Sequence, residues 1–599
     1  MEIMKPIRAE EIPSGDAWVY EVKYDGFRCI LHWEKTRVQL ISKNEKDLTA
    51  QFPEIVDACL DMQNSMEFLL PVKLDGELAV LNHAFQANFS WMQKRGRLKN
   101  KASIDKAAIN RPASFLAFDL LEIKGTSCHK RDLENRKKQL QQLFQNGGIN
   151  QRIQLVKSYV NKDELKDIIF EHKGEGMVAK RKDSHYLSGK NHHDWVKIKN
   201  WRNGQGFLTA FNTENNYFTV EVFDGDSLLE VGKCKHGMDQ ESFQTVKKLF
   251  TGQGEKHGNT YTLPPAICAS IRTLDLYDGE FREPEFSKLL PEVSPEACQL
   301  KKLEMDLAML PANVEYTNME KIFWPEDGYT KGDLLGYIRE IFPYMLPFLT
   351  DRALTIIRAP DGVEAEHFFQ KHLPDYAPSF MKYTETAEGK VIFADDLSAV
   401  VWLANHGTIE FHVPFQRVES TDPLEIVFDL DPPDRSKFQL AVKASLVIKE
   451  LLDNLGLVSF VKLSGNKGLQ VHIPIPEGSL SYEDTGLFTQ AIAYTVEGAY
   501  PDMFTTERMK KKRQGKLYID YMQHGKDKTL IVPYSPRKTT EATVAAPIFW
   551  EEVADGLHPE QFTIKNVVER VQAIGCPFAN YLDAGENQNI SDLKKLIYE

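Results

Sequence analysis

The chain has 599 residues, 42% of them hydrophobic and 27% charged, with a formal net charge of −13. That length predicts three or four domains, each able to bury its own core, and no apolar stretch is long enough to span a bilayer. The acidic balance argues mildly against a nucleic-acid partner, since phosphate binding needs positive surface, but local basic clusters at Lys94-Arg95-Gly96-Arg97, Lys180-Arg181-Lys182 and Lys510-Lys511-Lys512-Arg513 keep one open.

The N-terminal stretch MEIMKPIRAEEIPSGD lacks the apolar core of a signal peptide, and a cytoplasmic protein is expected. Seven cysteines are scattered with no CxxC spacing, which predicts reduced, mostly buried thiols rather than a zinc site or a disulfide framework.

From the N-terminus, AWVYEVK, CILHWE and RVQLI alternate as strands do, and residues 53 to 62 and 131 to 145 carry apolar residues at helical spacing. Lys23 falls where a strand meets a turn. Five short motifs then follow in order: Lys23-Tyr24-Asp25-Gly26, Asp75-Gly76-Glu77, Phe118-Asp119, Glu175-Gly176-Met177 and Trp195-Val196-Lys197-Ile198-Lys199. A lysine attacks the α-phosphate of ATP only as the free amine, so its pKa has to fall through burial or a cationic neighbour such as Arg28. Glu77 and Glu175 would hold a divalent metal, Lys197 and Lys199 would balance charge on the α-phosphate, and Phe118 can stack on adenine. Singly, each has an ordinary reading: Lys23 as an exposed strand-end lysine, Asp75-Gly76 as a hairpin turn, Phe118 as core.

The ordered set resembles the covalent nucleotidyltransferases, and within them the ATP-dependent DNA ligases, over residues 17 to 199. The resemblance implies an ATP-grasp-like ligase fold, adds Glu21 and Arg28 to the nucleotide-binding residues, and implies a small OB barrel after the fifth motif. Residues 203 to about 297 do turn to short strands separated by Gly, Asn and Asp, an all-β pattern. Relatives usually carry an arginine and a following Asp and Lys near the end of that region to orient pyrophosphate. Alignment places Leu290, Pro291 and Val293 there, which predicts slow reaction with free ATP, with Lys288 or Arg282 as a partial replacement. Residues 298 to 313 read as a connector with helical character, closed by Pro311.

The chain then begins afresh as α/β. In Leu424-Glu425-Ile426-Val427-Phe428-Asp429-Leu430-Asp431 a strand ends in two acids, and alternation puts Asp429 and Asp431 on one face. Lys516-Leu517-Tyr518-Ile519-Asp520-Tyr521 offers a third acid, and three carboxylates suit two metal ions aligning a 3′-hydroxyl with an NTP α-phosphate. Ser464-Gly465-Asn466-Lys467-Gly468, between two strands, is a turn whose amides and lysine can hold triphosphate, and Arg513 and Arg537 can fork onto phosphate oxygens. His412 can add a donor. A strand-end acidic turn or helix cap, and a satisfied core histidine, are the ordinary readings here.

Residues 314 to 599 resemble the polymerase domain of bacterial DNA ligase D, in the archaeo-eukaryotic primase superfamily, through TNMEKIFWPEDGYTKGDLLGYI, FFQKHLP, IEFHVPFQR, VFDLDP, SGNKG, YID and PYSPRK in order. The resemblance implies that Asp429, Asp431 and Asp520 ligate metal, and that Ser464, Lys467, Gly468, His412, Arg513 and Arg537 bind nucleotide. It also implies that Lys321 and Lys331 grip a downstream 5′-phosphate and that Phe368 and Phe369 stack on template. Their ordinary readings are a surface lysine pair and a core Phe pair. Three positions depart from the family: Ile357 beside Arg358, Gln523-His524 after the third acid, and Gln470 after the SGNKGL turn.

The expectation is a multidomain α+β protein: a ligase adenylation domain at 1–199, an OB-fold β-barrel at 200–297, a linker at 298–313 and a primase-like polymerase domain at 314–599. The resemblance implies a nucleoid-associated end-joining enzyme using ATP, Mg²⁺ or Mn²⁺ and NTPs or dNTPs, with ribonucleotides preferred. Its implied partners are DNA ends, nicks and gaps and the bacterial Ku homodimer. An RNA ligase or capping-type enzyme fused to a primase, and a DNA-binding scaffold with one inactive half, remain alternatives. Retention of Lys23, Glu77, Asp429 and Asp431 speaks against the scaffold.

Overall fold

The computed structural model describes residues 2–147, 150–189, 191–387 and 389–598. Lys23-Tyr24-Asp25-Gly26 carries the chain from the strand Trp18–Val22 to the strand Phe27–Trp33, which belong to different sheets. Gly26 is required by space, because a Cβ there would lie 2.3 Å from the Leu78 carbonyl oxygen on the adjoining strand. Trp18–Val22 lies between Gly176–Arg181 and Ser158–Tyr159 in a five-stranded sheet completed by Asn191–Lys199 and Lys5–Arg8. Phe27–Trp33 lies between Val38–Ser42 and Val72–Ala79 in a six-stranded sheet that continues through Ser114–Ile123. Asp75-Gly76 is therefore mid-strand and not a hairpin turn. Ile30 and Leu121 of the second sheet pack with Met4 and Trp195 of the first. Between the sheets lies a cavity of about 980 Å³.

Arg202–Asn212 opens a second unit, pairing with Tyr217–Asp224 on one side and Thr260–Thr273 on the other in a six-stranded sheet. The all-β expectation for this region is corrected by the helix Gln240–Gln253, which Asp239 caps by accepting from the Ser242 N–H at 2.9 Å. Phe243, Val246 and Phe250 recur at helical spacing and pack on the sheet, a signal masked by the strands around it. The connector is the helix Leu300–Ala308, and Leu303 and Leu307, one turn apart, join the same core.

In the C-terminal half, the apolar run Ile426-Val427-Phe428 lies in the strand Glu425–Asp431, buried on both faces as such runs are. Its neighbours are Leu469–Pro474 and Leu517–Asp520 within a six-stranded sheet. A four-stranded sheet holds Phe368–Gln370, Thr355–Arg358, Thr408–Pro414 and Thr529–Ile531. One hydrophobic core joins both sheets to the helices Lys331–Leu349, Leu397–Asn405, Phe438–Asn454 and Tyr482–Ala499. The first of these starts in a capping box between Thr330 and Asp333. The architecture is multidomain α+β. All seven cysteines are buried and free, and among the described residues no helix is long and apolar enough to cross a membrane.

Candidate active sites

In the first site Lys23 follows the strand Trp18–Val22, and its backbone N–H donates to the Gly176 carbonyl at 2.9 Å, which brings Glu175-Gly176 alongside. The Lys23 ammonium pairs with Glu175 Oε1, while Glu175 Oε2 is buried with no hydrogen-bond partner. Glu77, on the other sheet, accepts from the Gly26 N–H at 3.2 Å. Burial lifts its carboxyl to about 7, against the lowering charges of Lys23 and Arg28. The orphaned Glu175 oxygen and the Glu77 carboxylate offer hard oxygen donors that fit Mg²⁺ or Mn²⁺.

Arg28 does not serve Lys23 as a free cation. It forks onto Asp75 at 3.1 and 2.7 Å, so its charge is already paired. Its guanidinium lies 5.3 Å from the Phe118 ring centroid and 5.5 Å from that of Trp195. The cationic neighbour is Lys197, held below the usual lysine range first by burial and then by the charges of Lys23 and Lys199. Phe118 is half-buried and lines the cavity, edge-on to Trp195 at 6.1 Å, rather than being core.

Glu21 is fully enclosed, accepting from Ser158 Oγ at 3.0 Å and Lys180 Nζ at 2.6 Å and pairing with Lys137. Lys180, placed by the sequence in a basic surface cluster, is instead buried under the cavity, with Nζ 4.2 Å from the Phe118 centroid. Burial drops its ammonium to about 8 despite Glu21. Strand alternation was the available signal, since Val178 and Lys180 both line the cavity. Arg95, in another such cluster, is also buried, donating to Glu54 at 2.8 and 3.1 Å.

Residues 282–285 of the unit that follows pair with residues at and beside this cavity. Arg282 pairs with Asp25, Glu283 pairs with Lys199, and Glu285 accepts both guanidinium nitrogens of Arg8 at 2.5 and 2.7 Å. Lys288 is exposed on the last strand. Leu290, only 4% exposed, packs with Phe207, Cys268 and Cys298. It faces the sheet's own core and not the nucleotide cavity.

In the second site Asp429 and Asp520 are register partners and Asp431 is two residues along the same strand. Burial, then Asp431 and Asp520, raise Asp429 to about 6, while a 3.1 Å hydrogen bond from Gln470 opposes them. Such a cluster of hard oxygens suits Mg²⁺ or Mn²⁺. Asp431 is drawn to Lys467 at 2.9 Å, and among the described residues no three acidic, His or Cys side chains stand grouped as a metal set. Lys467 Nζ also donates to the Pro432 carbonyl at 2.8 Å. Ser464 Oγ accepts from the Gly468 N–H at 3.1 Å, and a Cβ at Gly468 would lie 2.3 Å from the Leu430 carbonyl oxygen, so only glycine lets the turn sit against the strand Glu425–Asp431.

Arg513 lies 3.9 Å from Asp431 and 3.8 Å over the Tyr518 ring. Glu410 gathers His412 at 2.9 Å and Arg537 at 3.3 Å, and burial holds the His412 imidazole below its usual range. One residue at this site, Lys462, escaped the sequence reading. Lys462, fully buried and pushed down to about 7 by burial, donates to Gln470, which donates in turn to Asp429. His524 lies apart from the acids, buried against Thr485 Oγ1 at 2.9 Å.

Lys331 is only 4% exposed, which rules out the surface-pair reading for it, and donates to the Asn405 carbonyl at 3.1 Å. Burial and then the charge of Lys321 lower its pKa. Their backbones are joined by a 2.8 Å hydrogen bond from Lys331 N to Lys321 O, and Lys321 pairs with Asp361. Phe368 and Phe369 are 43% and 69% exposed, so they are not a core pair. Ile357 is buried beside Arg358, which caps the His406 carbonyl at 2.9 and 2.7 Å.

Family models match both halves: the ATP dependent DNA ligase domain over residues 3–199 and the LigD primase-polymerase domain over 330–578. The bifunctional non-homologous end joining protein LigD of Bacillus subtilis (strain 168) is 38% identical over 98% of this chain and 98% of its own length. The multifunctional LigD of Pseudomonas aeruginosa is 24% identical, covering 97% of this chain and 72% of that protein. A solved polymerase domain from Mycobacterium tuberculosis ligase D, in complex with DNA, is 30% identical over 46% of this chain and 99% of its own, with a TM-score of 0.43. The chain is an ATP-dependent DNA ligase joined to a primase-type polymerase. It belongs to the family of the bifunctional non-homologous end joining protein LigD.

Proposed function

We propose that the C-terminal half fills gaps and extends DNA ends, with ribonucleotides preferred, and that the N-terminal half seals the resulting nick in double-strand-break repair. The supporting observation is that one chain carries two separate built sites, Lys23 against Glu175 at a cavity between two sheets and three aspartates on adjacent strands beside a glycine turn. In the first, the Lys23 amine forms an N–P bond to the ATP α-phosphate as the α–β P–O bond breaks and its electron pair leaves on pyrophosphate. The amine proton passes to Glu175 Oε1. Lys197 and Lys199 balance phosphate charge, Phe118 stacks on adenine, and the enclosed Glu21 and Arg28 hold the nucleoside end of the pocket. AMP then moves to a DNA 5′-phosphate and the 3′-hydroxyl displaces it.

In the second site Lys467, the 464–468 amides, His412, Arg513 and Arg537 orient the incoming NTP or dNTP. Mg²⁺ or Mn²⁺, held by Asp429, Asp431 and Asp520 there and by Glu77 and Glu175 in the ligase, supplies charge neutralisation when bound. Lys321 and Lys331 take a 5′-phosphate across a gap, and Phe368 and Phe369 stack on template bases. The domain boundaries proposed are 1–199, 200–297, 298–313 and 314–599. The bacterial Ku homodimer is the proposed partner on family resemblance, and the nucleoid the site of action. The test is a gapped, 5′-phosphorylated duplex with ATP and NTPs, resolved on a denaturing gel. Extended and sealed product is expected; sealing of RNA alone, or binding with neither reaction, would overturn the proposal.

A further inference from the structure

The helix Lys331–Leu349 of the polymerase half lies against the ligase half, and two side chains from its middle meet the helix end and turn that precede Glu175. Arg339, with no exposed surface, donates to the Phe170 carbonyl at 2.5 Å and the Glu171 carbonyl at 3.2 Å. These are the last carbonyls of the ligase helix Lys162–Glu171, at its negative dipole end, and the Phe170 carbonyl also accepts from the Lys173 N–H at 3.3 Å. The third guanidinium nitrogen donates to the Met309 carbonyl at 3.0 Å, at the end of the connector helix. One side chain thus ties three segments together.

The next residue, Glu340, pairs with Lys173, whose side chain is almost wholly buried. Lys173 sits at φ +51, a left-handed conformation that costs a non-glycine residue about 1 kcal/mol and persists only where the surroundings enforce it. Gly174 and Glu175 follow directly. Their carbonyls are held by Asn200, through Nδ2 at 3.1 Å and the backbone N–H at 2.9 Å, and Glu175 then meets Lys23.

We propose that Arg339 and Glu340, in the polymerase half, are positioning residues for the ligase reaction: they clamp the His172-Lys173-Gly174 turn and so set Glu175 against Lys23. A contact needed only to glue two domains would be served as well by apolar surface, since a buried charge pays desolvation that its partners must offset. Here Arg339 is placed on the backbone, and Glu340 on the Lys173 side chain, of the segment that leads into Glu175. The ligase half therefore reaches full activity only with the polymerase half docked. The inference rests on Lys23 being the adenylated lysine.

The test uses the full chain. Single-turnover label transfer from ATP to wild type, Arg339→Met, Arg339→Lys and Glu340→Gln is compared with primer extension and thermal melting. Arg339→Met is expected to slow adenylation roughly 10- to 100-fold, the scale of a displacement of about 1 Å at a reacting group. The ATP KM is expected to stay within about twofold, with extension likewise. Arg339→Lys, which keeps a cation at the carbonyls, is expected to recover part of the loss. Glu340→Gln, at a partly exposed position, covers the case in which Arg339→Met does not fold. Adenylation within about twofold of wild type in both Arg339→Met and Glu340→Gln, or a loss that tracks extension and melting, would overturn the inference. A wild type that never takes up label would instead overturn the ligase assignment.

Discussion

Asp429 and Asp520 face each other as register partners on adjacent antiparallel strands, and burial together with Asp431 and Asp520 raises Asp429 from 3.8 to about 6. A raised folded-state pKa means that the fold holds an extra proton between those values, so the stabilising protonated form is lost as pH rises through about 6. Cation binding runs the other way, because it needs the carboxylate. Mn²⁺ affinity at this site, followed by electron paramagnetic resonance, is expected to fall by up to about tenfold per pH unit below about pH 6. A flat affinity from about pH 5 to about pH 7.5 would contradict it.

Lys23→Ala is expected to abolish covalent AMP capture and sealing of an unadenylated nick, while primer extension continues. Asp429→Ala and Asp431→Ala are expected to do the reverse. The two activities are measured on one gel, and loss of extension in a folded Lys23→Ala protein would show that the sites are not independent.

The backbone pairing of Lys331 with Lys321, with the Lys321 charge felt at the Lys331 ammonium, predicts faster extension on a gap with a 5′-phosphate than on one without. One charge-assisted contact is worth about 1.5 to 3 kcal/mol, so a difference of roughly tenfold or more is expected. Lys331→Ala should erase most of it. Equal rates on both gaps in wild type would remove the role.

Leu290→Arg, on alignment alone, would restore a phosphate contact and speed adenylation. The structure reverses that expectation. Leu290 is buried among Phe207, Cys268 and Cys298, and an unpaired arginine there is expected to destabilise the fold by about 3 to 5 kcal/mol, read by chemical denaturation. Arg282, paired with Asp25 of the cavity lining, is the residue we propose meets the leaving phosphates. Arg282→Ala is expected to slow label transfer from ATP about tenfold or more, and an unchanged rate would return Arg282 to a purely interdomain role.

Several features were legible from local pattern. Alternation put Asp429 and Asp431 on one face and Lys23 at the end of the strand AWVYEVK, because side-chain direction along a strand depends only on the backbone. The helix Gln240–Gln253 was legible in principle, through Asp239 and the spacing of Phe243, Val246 and Phe250.

Partner choice was not legible. Arg28 took Asp75, Lys180 went under Phe118 to meet Glu21, and Leu290 turned into a core, each decided by which sheets stack and how deeply a charge is buried. Arg339 joins carbonyls 168 and 169 residues away in the other half of the chain. The sequence by itself determined the chemistry each half can perform, since that is written in residue types at short spacing. Only the tertiary structure decided which charges neutralise one another and that the two halves meet at the segment preceding Glu175, because long-range electrostatic pairing follows from packing and has no local period.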